Sequence, residues 1–237
     1  MLKRVSILLA SLMLVAVMVQ GAAAAELKDV IDTLEQGYRV LNDLQTDFTQ
    51  RTTITSMKRE ERGGGELLMK KPAGANAMFR FNYTKPKQQI ISNGKTVWYY
   101  LPDNKQVMVM DMAAMFQGGN GVALNYLAGM GSVSRDFTIS FAGDGRDRKG
   151  NYLLNLVPKK PTQALARLQL TIAARAVDRF LAERKPVEPF PILSSVVYDQ
   201  MGNRTAIDYS RVKVNRGMGS SRFTFKVPAG VEVIRNR

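Results

Sequence analysis

The spacing of apolar residues changes early in the chain, and the change separates one helix from a long run of strands. Leu27, Val30, Ile31, Leu34, Tyr38 and Leu41 recur at intervals of three and four, which puts them on one face of a helix expected from about Leu27 to Leu44. A helix with one apolar face has to cover another apolar surface. From Gln45 the period is two: Phe48, Gln50, Thr52 and Ile54 alternate with Thr49, Arg51 and Thr53, and KREERGGG is expected to turn the chain into ELLMKK. In MFRFNY, Phe79, Phe81 and Tyr83 project to one side of a strand and Arg80 and Asn82 to the other. The ribbon QQIISNGKTVWYYLPDNKQVMVM carries Ile90, Trp98, Tyr100, Met108 and Met110 on strands joined by tight turns at Asn93-Gly94 and at Pro102-Asp103-Asn104. Periodicity alone leaves open whether these large side chains are ordinary core or line a hollow.

The rhythm breaks at residues 116–131, FQGGNGVALNYLAGMG, where glycines surround Leu124 and Leu127. This stretch reads as a short helix set in loop, a composition that suits a movable cover. Strands are expected again at DFTISF, NYLLNLVP, RLQLTI, PILSSVVYD, RTAIDYSRVKV and SRFTFKVP. The total of about eleven strands, nearly all consecutive, argues for a mainly β protein built on one large curled antiparallel sheet or a barrel. Residues 174–190 stand apart. Ala176, Val177, Phe180 and Leu181 fit one face of a short helix, and the surrounding charges fit a solvated loop equally well.

The first 25 residues carry no fold information. A basic start, an apolar run and a small-residue end with Ala23 and Ala25 at the spacing read by signal peptidase predict a secretory signal over 1–25. No Cys follows to accept a lipid. Taking 25 from 237 leaves 212 residues, expected to form a single domain over 26–237. A secreted chain with no Cys points to a bacterial periplasm.

Charge and chemistry narrow the function classes. The chain has a formal net charge of +14, an excess that suits nucleic acid, an anionic lipid surface or an acidic partner, and export argues against nucleic acid. Lys and Arg are scattered, so each short cluster reads first as solvated surface. With no His and no Cys, the common catalytic triads, thiol nucleophiles and most zinc sites are excluded. The carboxylate pairs Asp29/Asp32, Glu60/Glu61 and Asp144/Asp147 sit where solvent is expected, and DGRDRKGNY reads as a hairpin turn because basic residues replace the oxygen ligands of a calcium loop. No enzyme activity, metal or cofactor is expected.

The order GELLMKKP, FRFNYTKP, QQIISNGKTVWYYLPDNKQV, VVYDQMGNRTAIDYS and FTFKVPAGVEV resembles the LolA family of periplasmic outer-membrane lipoprotein carriers over nearly the whole exported chain. The resemblance implies an incomplete, unclosed antiparallel β-barrel with a helical lid, enclosing an apolar cavity for acyl chains. On that basis the cavity wall is expected to include Phe79, Phe81, Tyr83, Ile90, Trp98, Tyr100, Met108, Met110, Leu124 and Leu127. Lys71, before Pro72, falls where the family usually has an arginine bonded to lid carbonyls in the empty form; lysine keeps the charge and loses the planar fork. The extra AGANA after Pro72 and the 174–190 segment depart from the family pattern. The implied role is a monomeric periplasmic chaperone that takes triacylated lipoproteins from an inner-membrane ABC transporter to an outer-membrane receptor or to the outer membrane itself. A carrier of another lipid on the same fold and an envelope lipid or stress sensor are the competing expectations.

Overall fold

The structure, a computed structural model, describes residues 25–74, 76–112, 133–160 and 163–235. In chain order the elements are α1 (Leu27–Val40), β1 (Asp43–Ile54), β2 (Arg59–Lys70), β3 (Met78–Lys85), β4 (Gln88–Ser92), β5 (Thr96–Leu101) and β6 (Gln106–Asp111). After these come the single turn α2 (Val133–Asp136), β7 (Phe137–Arg146), β8 (Tyr152–Pro158), β9 (Arg167–Ile172), α3 (Ala174–Glu183), β10 (Ile192–Tyr198), β11 (Arg204–Val214) and β12 (Glu232–Arg235). All twelve strands form one sheet in the order β12-β6-β5-β4-β3-β2-β1-β11-β10-β9-β8-β7. Every neighbouring pair is antiparallel except β12, which runs parallel to β6. Among the described residues β12 and β7 are the two free edges, and the barrel is unclosed.

α1 forms where the three-and-four spacing places it, with the Glu26 N–H donating to the Asp29 carboxylate at 3.0 Å at its start. It ends four residues before the expected Leu44, because Leu44 is already on β1, opposite Met69 and Val214. Asn215 closes the helix end from a distance: its Nδ2 donates to Val40 O at 2.8 Å and its Oδ1 accepts from the Asn42 N–H at 2.7 Å. The helix carbonyl left without an intrahelical partner is thereby satisfied.

Two expected boundaries are corrected. The glycines of KREERGGG do not turn the chain; the turn lies at Thr55–Lys58 and β2 runs straight through Gly63, Gly64 and Gly65. The reason is close approach, since a Cβ on Gly65 would sit 1.9 Å from Asn82 O and one on Gly64 2.8 Å from Phe48 O. Glycine here lets three strands crowd together at the register shift between β2 and β3. SRFTFKVP is likewise not a strand. A 3₁₀ turn at Ser220–Phe223 leads into extended chain on the outer face, where Phe223 is fully buried with Leu68 and Met218. The edge of β6 is taken instead by Glu232–Arg235. The segment whose sequence fits either state is helical: α3 buries Ala176, Val177 and Phe180.

One core joins the pieces. Val30, Leu34 and Tyr38 of α1 share it with Phe48, Phe79 and Phe81 on one side and with Leu154, Leu168 and Ile172 on the other. Asp43, 4% exposed, fastens the C-terminal segment to the start of β1 by accepting the N–H groups of Arg216, Gly217 and Met218 at 2.8, 2.8 and 3.0 Å. Burial alone would push its carboxyl pKa up, but those three N–H groups and nearby Lys70 outweigh it and hold the value below the ordinary one. A carboxyl lowered on folding stabilises the protein above its unfolded pKa, about 3.9, and that contribution is lost as pH falls through the folded value. We predict that Asp43→Ala costs about 2–3 kcal/mol at pH 7. Urea melts of parent and variant should converge as the pH drops below 4; a constant gap would contradict the assignment.

Candidate functional site

The site grows from the alternation of β3. Phe79 and Phe81 are 2% and 5% exposed, Tyr83 is half-buried, and all three lie on the inner face, while Arg80 and Asn82 face outward. Register carries that face across the neighbours. Phe81 stands opposite Leu67 and Ile90, and Tyr83 opposite Gly65 and Gln88. Phe48 meets Phe81 and Tyr83 edge-on, at ring separations of 5.5 and 4.9 Å. Ile90 and Met110 pack on this core, and Met108 shares the face through its pairing with Tyr99.

Trp98 and Tyr100 are corrected. They pair with Ile91 and Gln89 respectively, the outward positions of β4, and both rings rest on Phe225 at 6.3 and 5.3 Å. They seal the outer face under the C-terminal segment. Tyr99, which shares the inward face of that strand with Val97, was missed. Counting parity from Ile90 through the Asn93-Gly94 turn would have found it, since a strand residue opposite Ile90 shares its face. Leu124 and Leu127, with the whole Gly-rich 116–131 stretch, lie outside the described residues.

α1 is the described cover. Its apolar face is buried on the sheet, and Gly37 lets the 188–189 backbone come within 3.0 Å of where a Cβ would be. Three polar ties of the cover lie among the described residues. Lys71 Nζ donates to Tyr38 O at 2.6 Å, Asn215 holds Val40 O, and Glu35 Oε1 accepts the Ser134 N–H at 2.8 Å. Thus the described partner of Lys71 is a carbonyl in the last turn of α1. Burial lowers the ammonium pKa below the ordinary lysine value.

Away from the Lys71 end of α1, the inner face opens into a hollow of about 440 Å³ lined by Gln50, Tyr83, Gln88, Tyr99 and the charged residues 59–62. Tyr83 Oη donates to Gln50 Oε1 and Tyr99 Oη to Gln88 Oε1, each at 2.8 Å. Burial pushes the Tyr83 phenol up to about 12 and raises that of Tyr99, so both hydroxyls stay neutral at physiological pH. In the β7–β8 turn, Asp147 accepts the N–H groups of Lys149 and Asn151. That carboxylate closes a hairpin.

An unclosed barrel whose apolar inner face is shut beneath an amphipathic helix defines a class of fold built around a coverable apolar interior. Residues 39–182, well over half of the chain, match the family model described as outer membrane lipoprotein carrier protein LolA. The chain belongs to that family, whose members are non-enzymatic carriers. Its relatives include an outer-membrane lipoprotein carrier protein of Chromobacterium violaceum, 30% identical over 216 residues that cover 91% of this chain and 88% of the relative. One from Pseudomonas aeruginosa is 27% identical over 227 residues, 93% and 96% of the two chains. An uncharacterized conserved protein from Thermus thermophilus shares the fold at a TM-score of 0.50 with 16% identity, covering 88% of this chain and 98% of the other. A LolA superfamily protein from Nitrosomonas europaea overlaps at a TM-score of 0.41 with 15% identity, covering 85% and 99%.

The outward position of Trp98 carries a prediction. Trp98→Ala should lower stability by about 2 kcal/mol through loss of its contact with Phe225, and leave retention of an acyl ligand unchanged. Chemical denaturation together with lipid copurification checks both halves; lost retention at parental stability would place Trp98 inside.

Proposed function

We propose that the protein is a periplasmic chaperone that holds the acyl chains of lipoproteins between α1 and the inner face of the sheet. In this reading residues 1–25 are a removed export signal and 26–237 form one carrier domain. The cargo is received from an inner-membrane ABC transporter and given to an outer-membrane receptor or to the membrane itself. Phe79, Phe81, Tyr83, Ile90, Met108 and Met110 serve as wall, and Lys71 as the catch on the cover.

The observation that supports this most is the junction of Lys71 with Tyr38 O. An apolar interior could stay shut by burial alone, and a cation desolvated to hold one helical carbonyl adds a tie that exists only while α1 is down. A carrier without an energy source needs such a tie. Cargo is released when the empty, closed state is stabilised by contacts that the loaded state lacks.

Two variants test the reading. Ile90→Glu puts a carboxylate on a half-buried wall position, where the protein still folds but a hydrocarbon chain must desolvate a charge to enter. Lipoprotein recovered with the purified variant from the periplasm should fall at least tenfold. Lys71→Leu removes the catch, worth about 1.5 kcal/mol for a partly exposed charged hydrogen bond; this variant should load as well as the parent and deliver poorly to acceptor membranes. Parental recovery by the first together with parental delivery by the second would contradict the proposal.

A further inference from the structure

The interior contains hydroxyls that an apolar compartment does not need. Tyr38, on the inner face of α1, is 4% exposed, and its Oη has no hydrogen-bond partner among the described residues. Across from it on the sheet, Tyr209 (8% exposed) and Ser195 (1% exposed) share one hydrogen bond of 3.1 Å between their hydroxyl oxygens. Two hydroxyls carry two protons, and that single bond uses one; the other finds no acceptor among the described residues. The groups belong to one neighbourhood. The Phe190 ring stands 6.4 Å from that of Tyr38 and 5.4 Å from that of Tyr209, edge-on to the latter. Tyr209 in turn lies opposite Phe48, which meets Phe81 and Tyr83.

Phenylalanine would fill the Tyr38 position with the same ring and no polar atom to bury. An unpaired buried hydroxyl is costly to the closed, empty protein, and tyrosine in a core ordinarily finds a partner. Both phenols are driven up by burial, so each remains a neutral donor under any physiological condition. A neutral donor in a low-dielectric, apolar site favours a neutral acceptor. A carboxylate would have to bring its charge with it.

We propose that Tyr38, Tyr209 and Ser195 form a hydroxyl subsite for the acyl carbonyl of the cargo, so that the protein distinguishes an ester-linked chain from hydrocarbon of equal length. This rests on the carrier reading above and adds its chemical selectivity. The two spare donor protons match the two lone pairs of one carbonyl, or one acceptor from each of two neighbouring chains. Specificity of this kind is strong for polar sites, because a ligand lacking the acceptor leaves the donors unpaired.

The test compares dipalmitoylglycerol with its diether counterpart, dihexadecylglycerol, and with palmitate at pH 7, each presented to the purified protein in fluorescent-probe displacement. The parent should bind the diester at least fivefold more tightly than the diether and more tightly than palmitate. Tyr38→Phe and the double variant Tyr209→Phe with Ser195→Ala should bring diester and diether within twofold of each other while leaving diether affinity unchanged. Equal binding of diester and diether by the parent, a preference that survives in both variants, or tighter binding of palmitate overturns the subsite with the carrier reading intact; retention of none of the three overturns both. A second measurement is independent of ligand. Empty Tyr38→Phe should melt above the parent, and a lower melting temperature would show that the hydroxyl already has a partner, which overturns the proposal.

Discussion

The structure depends on the contact between the apolar face of α1 and the inner face of the sheet. A twelve-stranded sheet that curls without closing leaves a concave apolar surface, and water must be kept from it. Val30, Leu34 and Tyr38 do that, and burying three such side chains is worth roughly 5–9 kcal/mol. The contact is non-directional, so any other apolar surface of similar area can replace it. At roughly 0.8 kcal/mol per CH₂, a single long acyl chain offers as much as the helix does, so in the proposed carrier role cover and cargo would compete on nearly equal terms.

The ties that fix the position of this cover are polar and local. Lys71 on Tyr38 O, Asn215 on Val40 O and Glu35 on the Ser134 N–H hold α1 at specific carbonyls and side chains. The outer face is treated differently. Asp43 locks the 216–218 backbone, and Phe223 and Phe225 then cover Leu68, Trp98 and Tyr100. One face of the sheet is closed by a carboxylate clamp and aromatic packing, the other by a helix whose described ties include these three hydrogen bonds.

Much of this was legible in the sequence. The three-and-four spacing of α1 and the alternation of Phe79, Phe81 and Tyr83 dictated the helix, the strand and its buried face, because both patterns are local. Strand pairing was harder at two places. Gly63–Gly65 look like a turn until Asn82 O and Phe48 O are brought beside them, and FTFKVP alternates like a strand although its aromatics dock on the outside of another one. In both cases the missing information was a distant partner. Trp98 and Tyr100 were misplaced by size, whereas parity through the Asn93-Gly94 turn points them outward. The tie between Lys71 and α1, and the gathering of Tyr38, Phe190 and Tyr209, join residues far apart in the chain and have no signature in composition or period.

The central claim is that α1 yields to cargo while the sheet does not. Hydrogen–deuterium exchange of the protein, empty and loaded with a triacylated lipopeptide, measures this directly. Amides of Leu27–Val40 should exchange at least tenfold faster in the loaded protein, with β1, β2 and β3 equally protected in both states. Unchanged or slower exchange across α1 on loading would contradict the account.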